Sequence, residues 1–412
     1  MTLSADSQAA IAYLRSTAAI RERCGLVFAA AEAGQAPHFV LHLDRLPATA
    51  RYVAQTIREN YPTLAIPYHS RWRHFAAGGR DRWAELATRL RDRSPKEVAR
   101  IRFDLAVTSV LLDAGAGEAW SYREPATGER YPRSEGLAVA SFDMFTAGAF
   151  SSDGNDPLRA DAAALRDFTE SRLATGFQVN ADNPLVGLAG RAALMRRLGE
   201  ALAADRRLFG ESGRIGHLFD HLARGASGGT LAATNILDAV LRGFSSIWPG
   251  RESIDGVNLG DVWRHSSIRG AGGGDGLVPF HKLSQWLSYS LVEPLEDADF
   301  RVTGLDRLTG LPEYRNGGLF IDAGVLEPRH ADLLRVRYEV GSEPIVEWRA
   351  LTVVLLDRIA ALVRAELELT EVDFPLAKIL EGGTWSAGRK LARERRVGGV
   401  PPITLDSDGT VF

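Results

Sequence analysis

Along most of the chain apolar side chains return every three or four positions, the spacing that lines one face of a helix. It predicts helices over 5–34 with a break, 47–59, 80–91, 95–114, 157–175, 188–206, 230–244, 279–293, 342–369 and 384–397. The start at 95 is the clearest, because Ser94 is suited to cap the free amides of a first turn and Pro95 fits that turn. Period-two alternation is brief and confined to 39–43 and 335–340, which read as short strands. The fold class expected is therefore mainly α with few short strands. A Gly-, Pro- and charge-rich stretch at 120–132 suggests a boundary between an N-terminal helical lobe, 1–125, and a helical core, 126–412, that carries the candidate site. Residues 248–276 form a second irregular stretch, too long for a simple connector and expected to be a functional loop.

At 412 residues the chain exceeds what one core usually holds, so two lobes are the default. The charge balance, 49 Lys and Arg against 52 Asp and Glu for a net −3, offers no general attraction to a polyanion. Nucleic acid is excluded as a partner on that ground, and a small-molecule ligand is expected in a local basic pocket. The single cysteine, Cys24, rules out an intramolecular disulfide and Cys-based metal clusters and fits a reducing compartment. The first thirty residues carry Asp6, Arg15, Arg21 and Arg23 inside the apolar pattern, so they lack a signal h-region. No apolar run reaches the roughly 20 residues of a membrane span. A cytoplasmic enzyme with no membrane partner and an oligomeric state left open is the resulting expectation.

Several motifs invite chemistry and have plainer explanations. Residues 225–229, GASGG, spell G-x-S-x-G but follow a helical pattern, as a Gly-rich helix end does, where a nucleophile elbow needs a preceding strand. His217 and His221 share a helix face but lack an evident third ligand, so neither a metal nor a cofactor is called for. The glycine-dense run 270–276 has no G-x-G-x-x-G order and reads as a flexible lid. In PYHSRWRHF (67–75), Arg71, Trp72 and Arg73 sit between His69 and His74 and combine donors with an aromatic surface, a pattern suited to a ligand contact or to packing between lobes.

The densest constellation comprises FHKLSQ (280–285), LTGLPEYRNGG (308–318) and GSEPIVEWRA (341–350). Each segment sets a cation beside an acid or amide. Together they would bind a phosphate and ribose hydroxyls and leave one carboxylate facing an anomeric carbon; surface ion pairs on helices are the alternative.

On these residues, and on RSEGLAVASFDMFTAGAFSS (133–152), GLVPFHKLSQWLSYSLVEPL (276–295), ILEGGTWSAGR (379–389) and SDGTVF (407–412), the chain resembles the uracil-catabolism protein family of fungi and bacteria. A more distant resemblance over about 276–365 is to the queuosine-salvage nucleotide N-glycosylases, through Phe280, Lys282, Gln285, Leu308, Thr309, Glu313, Tyr314, Arg315, Gly341, Ser342, Glu347, Arg349 and Ala350. Two departures stand out: Glu313 replaces their Asp, and Asn316-Gly317-Gly318 replaces a Pro-Gln pair. The resemblance implies a helical, DNA-glycosylase-like core and a role in opening and degrading the pyrimidine ring through a ribosylurea-type intermediate. The expected reaction is hydrolysis of the N-glycosidic bond of a ring-opened uracil ribonucleoside or its 5′-phosphate. A nucleotide-binding pathway protein and a ureido amidohydrolase are the alternatives.

Cleaving that bond builds oxocarbenium character, which a carboxylate stabilises directly or by activating water; Glu313 and Asp261 are the expected catalytic residues. Lys282, Arg315 and Arg349 would hold a phosphate. Gln285 and Asn316 would orient hydroxyls or the ureido group, with Trp263 or Trp286 lining the pocket. Tyr314, His281, His69 and Arg71 complete the expected substrate contacts.

Overall fold

Side-chain caps set many of the helix starts. Ser4, Ser16, Asp81, Ser94, Asp161 and Thr169 each accept a hydrogen bond from the amide three residues on, satisfying donors that the helix itself leaves open. The computed structural model describes residues 3–249, 251–268 and 274–406, and within them the protein is mainly α, with short paired strands. The stretch 407–412 and most of the lid expected at 270–276 lie outside the described residues.

The chain divides into two units. The first comprises 3–69, 251–268, 274–285 and 304–406; the second comprises 70–249 and 286–303. The boundary expected near 125 falls inside the second unit, where Ser121–Arg123 and Arg130–Pro132 pair as an antiparallel hairpin.

In the first unit the Glu343–Leu367 helix buries most of its length, because apolar residues occupy more than one of its faces. It packs against the Thr17–Glu32 and Leu46–Asn60 helices. One shared core joins Ile20, Cys24 and Val27 to Val278, Phe280, Val346, Ala350 and Val353. Strand Phe39–Leu41 pairs antiparallel with Leu326–Pro328, and Arg337–Glu339 runs parallel to Thr404–Asp406, so both expected strands form. The stretch expected to be irregular, 248–276, contains a hairpin, Ser253–Ile254 with Val257–Asn258, and a strand, Val262–Arg264, that pairs with Leu277–Pro279. Asp255 and Gly256 turn that hairpin with φ of 48° and 79°, the left-handed pair that a two-residue Asp-Gly turn supplies.

The second unit is built on the Pro95–Leu111, Arg133–Thr146, Leu188–Ala204 and Ala233–Phe244 helices. The helix expected over 157–175 is two short ones, Ala162–Arg166 and Glu170–Gly176. That expected from 230 begins instead as a strand, Thr230–Ala232, parallel to Arg301–Thr303. Residues 225–229 are a helix end and turn, with Gly228 and Gly229 at positive φ and a strand after them.

Arg133–Thr146 and Tyr314–Asp322 are among the helices that escape the apolar pattern, and both contain glycine. Glycine weakens a helix in isolation. In the second of them it serves close packing: a Cβ on Gly317 would meet the Trp348 ring at 2.7 Å, and one on Gly388 of the facing Trp385–Arg395 helix would collide with the Arg315 carbonyl.

Candidate functional site

The site is built where the strand Leu277–Pro279 gives way to the Lys282–Glu296 helix. His281 lies between them at φ 46°, a left-handed conformation that costs an L-residue energy and persists only when neighbours hold it. Asp261 does much of the holding. Its carbonyl accepts from the amides of Phe280 at 2.9 Å and His281 at 3.4 Å. The His281 ring is buried and donates Nε2–H to the Leu14 carbonyl at 2.9 Å; burial lowers its pKa, in keeping with a neutral donor.

The Asp261 carboxylate is itself enclosed. Oδ1 accepts from Arg349 Nη1 at 2.8 Å and Trp263 Nε1 at 2.7 Å; Oδ2 accepts from Arg349 Nη2 at 2.8 Å and the Lys282 amide at 3.0 Å. Burial opposes its charge, yet the Arg349 guanidinium and these bonds hold the carboxyl well below the usual carboxylate range. Four donors on two oxygens suit an orienting group better than a base, which needs room for the proton it takes. The pairing also engages both terminal nitrogens of Arg349, the same fork a phosphate would use. Its Nε reaches the Pro312 carbonyl at 3.4 Å, and the guanidinium lies 4.1 Å over the Phe280 ring.

That contact ties the Asp261 pair to the residue before Glu313. Glu313 caps the Tyr314–Asp322 helix, accepting the amides of Arg315 and Asn316 at 2.6 Å each. Its surface stays partly open, but enough protein surrounds it that desolvation raises its pKa; the two amide bonds and the positive charges of Lys282 and Arg315 pull the other way. Arg315 donates from Nη1 to the Gly399 carbonyl at 2.7 Å and lies 5.0 Å over the partly exposed Tyr314 ring. Gln285 and Asn316 are fully buried. Gln285 Oε1 accepts from the Thr309 amide at 3.4 Å, and Asn316 Nδ2 donates to the Leu311 carbonyl at 3.1 Å. The opposite ends of both amides, Gln285 Nε2 and Asn316 Oδ1, have no hydrogen-bond partner among the described residues.

The structure thus brings Asp261, Trp263, His281, Lys282, Gln285, Glu313, Tyr314, Arg315, Asn316 and Arg349 into linked contacts of one unit. His69 belongs to the same unit, where its Nδ1 lies 2.7 Å from Glu381 on the single π turn Leu380–Thr384. Arg71, two residues on, belongs to the second unit: it is fully buried, paired with Asp113 at 3.0 Å and donating to Ser109 at 2.7 Å. Trp286 also lies in the second unit, with His74 at a ring distance of 5.7 Å. Glu347, from the same motif as Arg349, binds the amides of His38 and Phe39 and faces buried His265 at 3.1 Å, which makes it the anchor of the first strand. The acids Glu381 and Glu347 stand inside quoted motifs, but their partners are far away in the chain. Among the described residues no group of three or more His, Cys, Asp or Glu is placed to hold a metal ion, and no helix is long and apolar enough to cross a membrane.

Comparison with known proteins agrees over almost the whole chain. Residues 13–412 match the model of the family described as "Protein of unknown function (DUF1688)". "Uracil catabolism protein 4" of Lachancea kluyveri is 39% identical over 436 residues, covering 98% of this chain and 99% of the relative. "Protein urg3" of Schizosaccharomyces pombe (strain 972 / ATCC 24843) is 40% identical over 413 residues, covering 98% of this chain and 99% of that protein.

Proposed function

The chain belongs to the DUF1688 family, and from that premise we propose that it acts in uracil catabolism as an N-glycosidase on a ring-opened uracil ribonucleoside or its 5′-phosphate. The observation that carries the reading is Glu313: a partly open carboxylate on a helix N-terminus, its pKa raised by burial, in the field of Lys282 and Arg315. The name of the Lachancea relative supplies the pathway; the acid beside two cations supplies the chemistry.

In this reading Lys282 and Arg315 face the sugar's phosphate or hydroxyls, and Glu313 faces C1′. As the C1′–N bond lengthens, positive charge grows on the sugar and the carboxylate stabilises it. Glu313 takes a proton from a water whose oxygen bonds to C1′; the bonding pair leaves with the ureido nitrogen, which takes a proton from solvent as Glu313 gives its own back to solvent, giving ribose or its phosphate and a urea. Asp261 serves as a positioning residue. It fixes Arg349 against Pro312 and the Lys282 amide at the start of its helix, so that acid and cation keep their spacing.

Purified protein incubated with ribosylurea and its 5′-phosphate is expected to release ribose or ribose 5-phosphate, read by mass spectrometry. Glu313→Gln is expected to lower kcat/KM by more than about 10²-fold. Because the raised pKa moves the loss of the base upward, the acid limb of kcat/KM should lie above the ordinary glutamate value of 4.5. Saturable binding of both compounds without sugar release would replace the enzyme with a binding protein; full turnover by Glu313→Gln would remove Glu313 from the chemistry.

A further inference from the structure

Buried polar groups that lack a hydrogen bond are rare and costly, so two whose side chains are anchored to one stretch of chain call for a cause. Gln285 Nε2 and Asn316 Oδ1 are such a pair, each on a fully buried side chain. The far end of each amide is anchored two residues apart on the same stretch, Gln285 to the Thr309 amide and Asn316 to the Leu311 carbonyl. Those anchors decide which end is oxygen and which nitrogen, so one unsatisfied donor and one unsatisfied acceptor border 309–316. A third buried donor without a partner, Trp348 Nε1, lies against Gly317, the next residue along.

We propose that Gln285 and Asn316 form a reading pair for a terminal ureido group, with Gln285 Nε2–H donating to its carbonyl oxygen and Asn316 Oδ1 accepting from its N–H. This deepens the function proposed above and rests on it for the bond that is cut. The chemistry narrows the ligand in three ways. A phosphate or carboxylate offers only acceptors and would leave Asn316 Oδ1 facing a lone pair. A ribose hydroxyl can accept from one and donate to the other only where both atoms converge on its single oxygen. An aromatic base would want a ring face, but the Trp348 and Trp263 rings already press on Gly317 and Gly341. A urea presents oxygen and N–H side by side in one plane, the complement of a side-chain amide pair. Selectivity then follows from the penalty for mismatch, since a buried donor or acceptor left unpaired by an analogue counts against that analogue.

Gln285→Glu tests this with little change of shape: it keeps the oxygen that accepts from Thr309 and turns the donor into an acceptor. Asn316→Leu removes the acceptor and serves as the second variant, with circular dichroism confirming that each is folded. Ribose release from ribosylurea is measured alongside binding of free N-methylurea by saturation-transfer NMR, which needs no turnover; tetramethylurea, without N–H groups, is the control. The expected result is methylurea binding to the wild type, no signal from tetramethylurea, and a loss of about tenfold or more in methylurea affinity and in kcat/KM for each folded variant. Equal binding of the two ureas, or wild-type affinity and turnover in a folded variant, overturns the reading pair. Wild-type protein that binds methylurea in a Gln285-dependent way but releases no sugar supports the pair and overturns the glycosidase.

Discussion

Asp261 in the first unit and Asp104 in the second are both buried, and each faces an arginine, yet their protons behave in opposite ways. Asp261 receives both terminal nitrogens of Arg349 at 2.8 Å, with Trp263 and the Lys282 amide completing the shell. Asp104 shares its cation. Arg214 gives Nε to Asp104 and Nη1 to Glu97, each at 2.7 Å, and the Gly216 amide supplies a further bond at 2.7 Å. Burial then outweighs the attraction, and the Asp104 carboxyl is pushed up to about 7, whereas Asp261 is held far down. An arginine in contact does not by itself settle the charge of a buried acid: Arg349 turns both terminal nitrogens to Asp261, whereas Arg214 divides its nitrogens between Asp104 and Glu97.

The comparison breaks most directly at Asp261→Asn, which takes away the negative charge that both terminal nitrogens of buried Arg349 engage. A loss of about 3–5 kcal/mol in unfolding free energy is expected, read by urea titration at pH 7. A loss under about 1 kcal/mol would show that the pair contributes little to stability.

An intermediate effect is expected in the pH dependence of stability. Asp104 titrates near 7 when folded and near 3.8 when unfolded, so the folded protein binds more protons between those values. Its contribution is therefore fully present below about 3.8 and is lost as pH rises through 7. Asp261 has the opposite sign: its contribution is present above its unfolded value and is lost only as pH falls through its much lower folded one. Glu97→Gln frees Arg214 for Asp104 and should flatten the decline between pH 4 and 7; an unchanged slope by thermal melts would refute the shared-cation account. The smallest effect expected is that of Trp263→Phe, which deletes one of four bonds to Asp261 while keeping most of the ring. About 1 kcal/mol is expected, and a cost matching Asp261→Asn would mean that the indole, not the guanidinium, holds the acid.

Local features were the legible ones. The Ser94-Pro95 start, the long 343–367 helix and the short strand at 39–41 follow from spacing and capping that a few adjacent residues specify. The Asp255-Gly256 hairpin carried an equally local signal, but its strands are two residues each, too short to show alternation. Partnerships across long separations were not legible. Arg349 reads as a phosphate ligand until Asp261, 88 positions earlier, is seen to fill its fork. His69 and Arg71 stand two residues apart in one motif, yet belong to different units because the chain crosses between them at 69–70. The Tyr314–Asp322 helix was hidden because its Gly317 answers to Trp348 and not to helix propensity.

Glu313 holds two offices, and the second follows from the first. A carboxylate that caps a helix shares its negative charge with the amides of Arg315 and Asn316, so every proton it gains weakens their grip and every proton it yields restores it. The opening turn of that helix would therefore tighten and slacken with the acid's ionisation, and Asn316, riding on that turn, would feel the charge state of its neighbour at each step of a catalytic cycle.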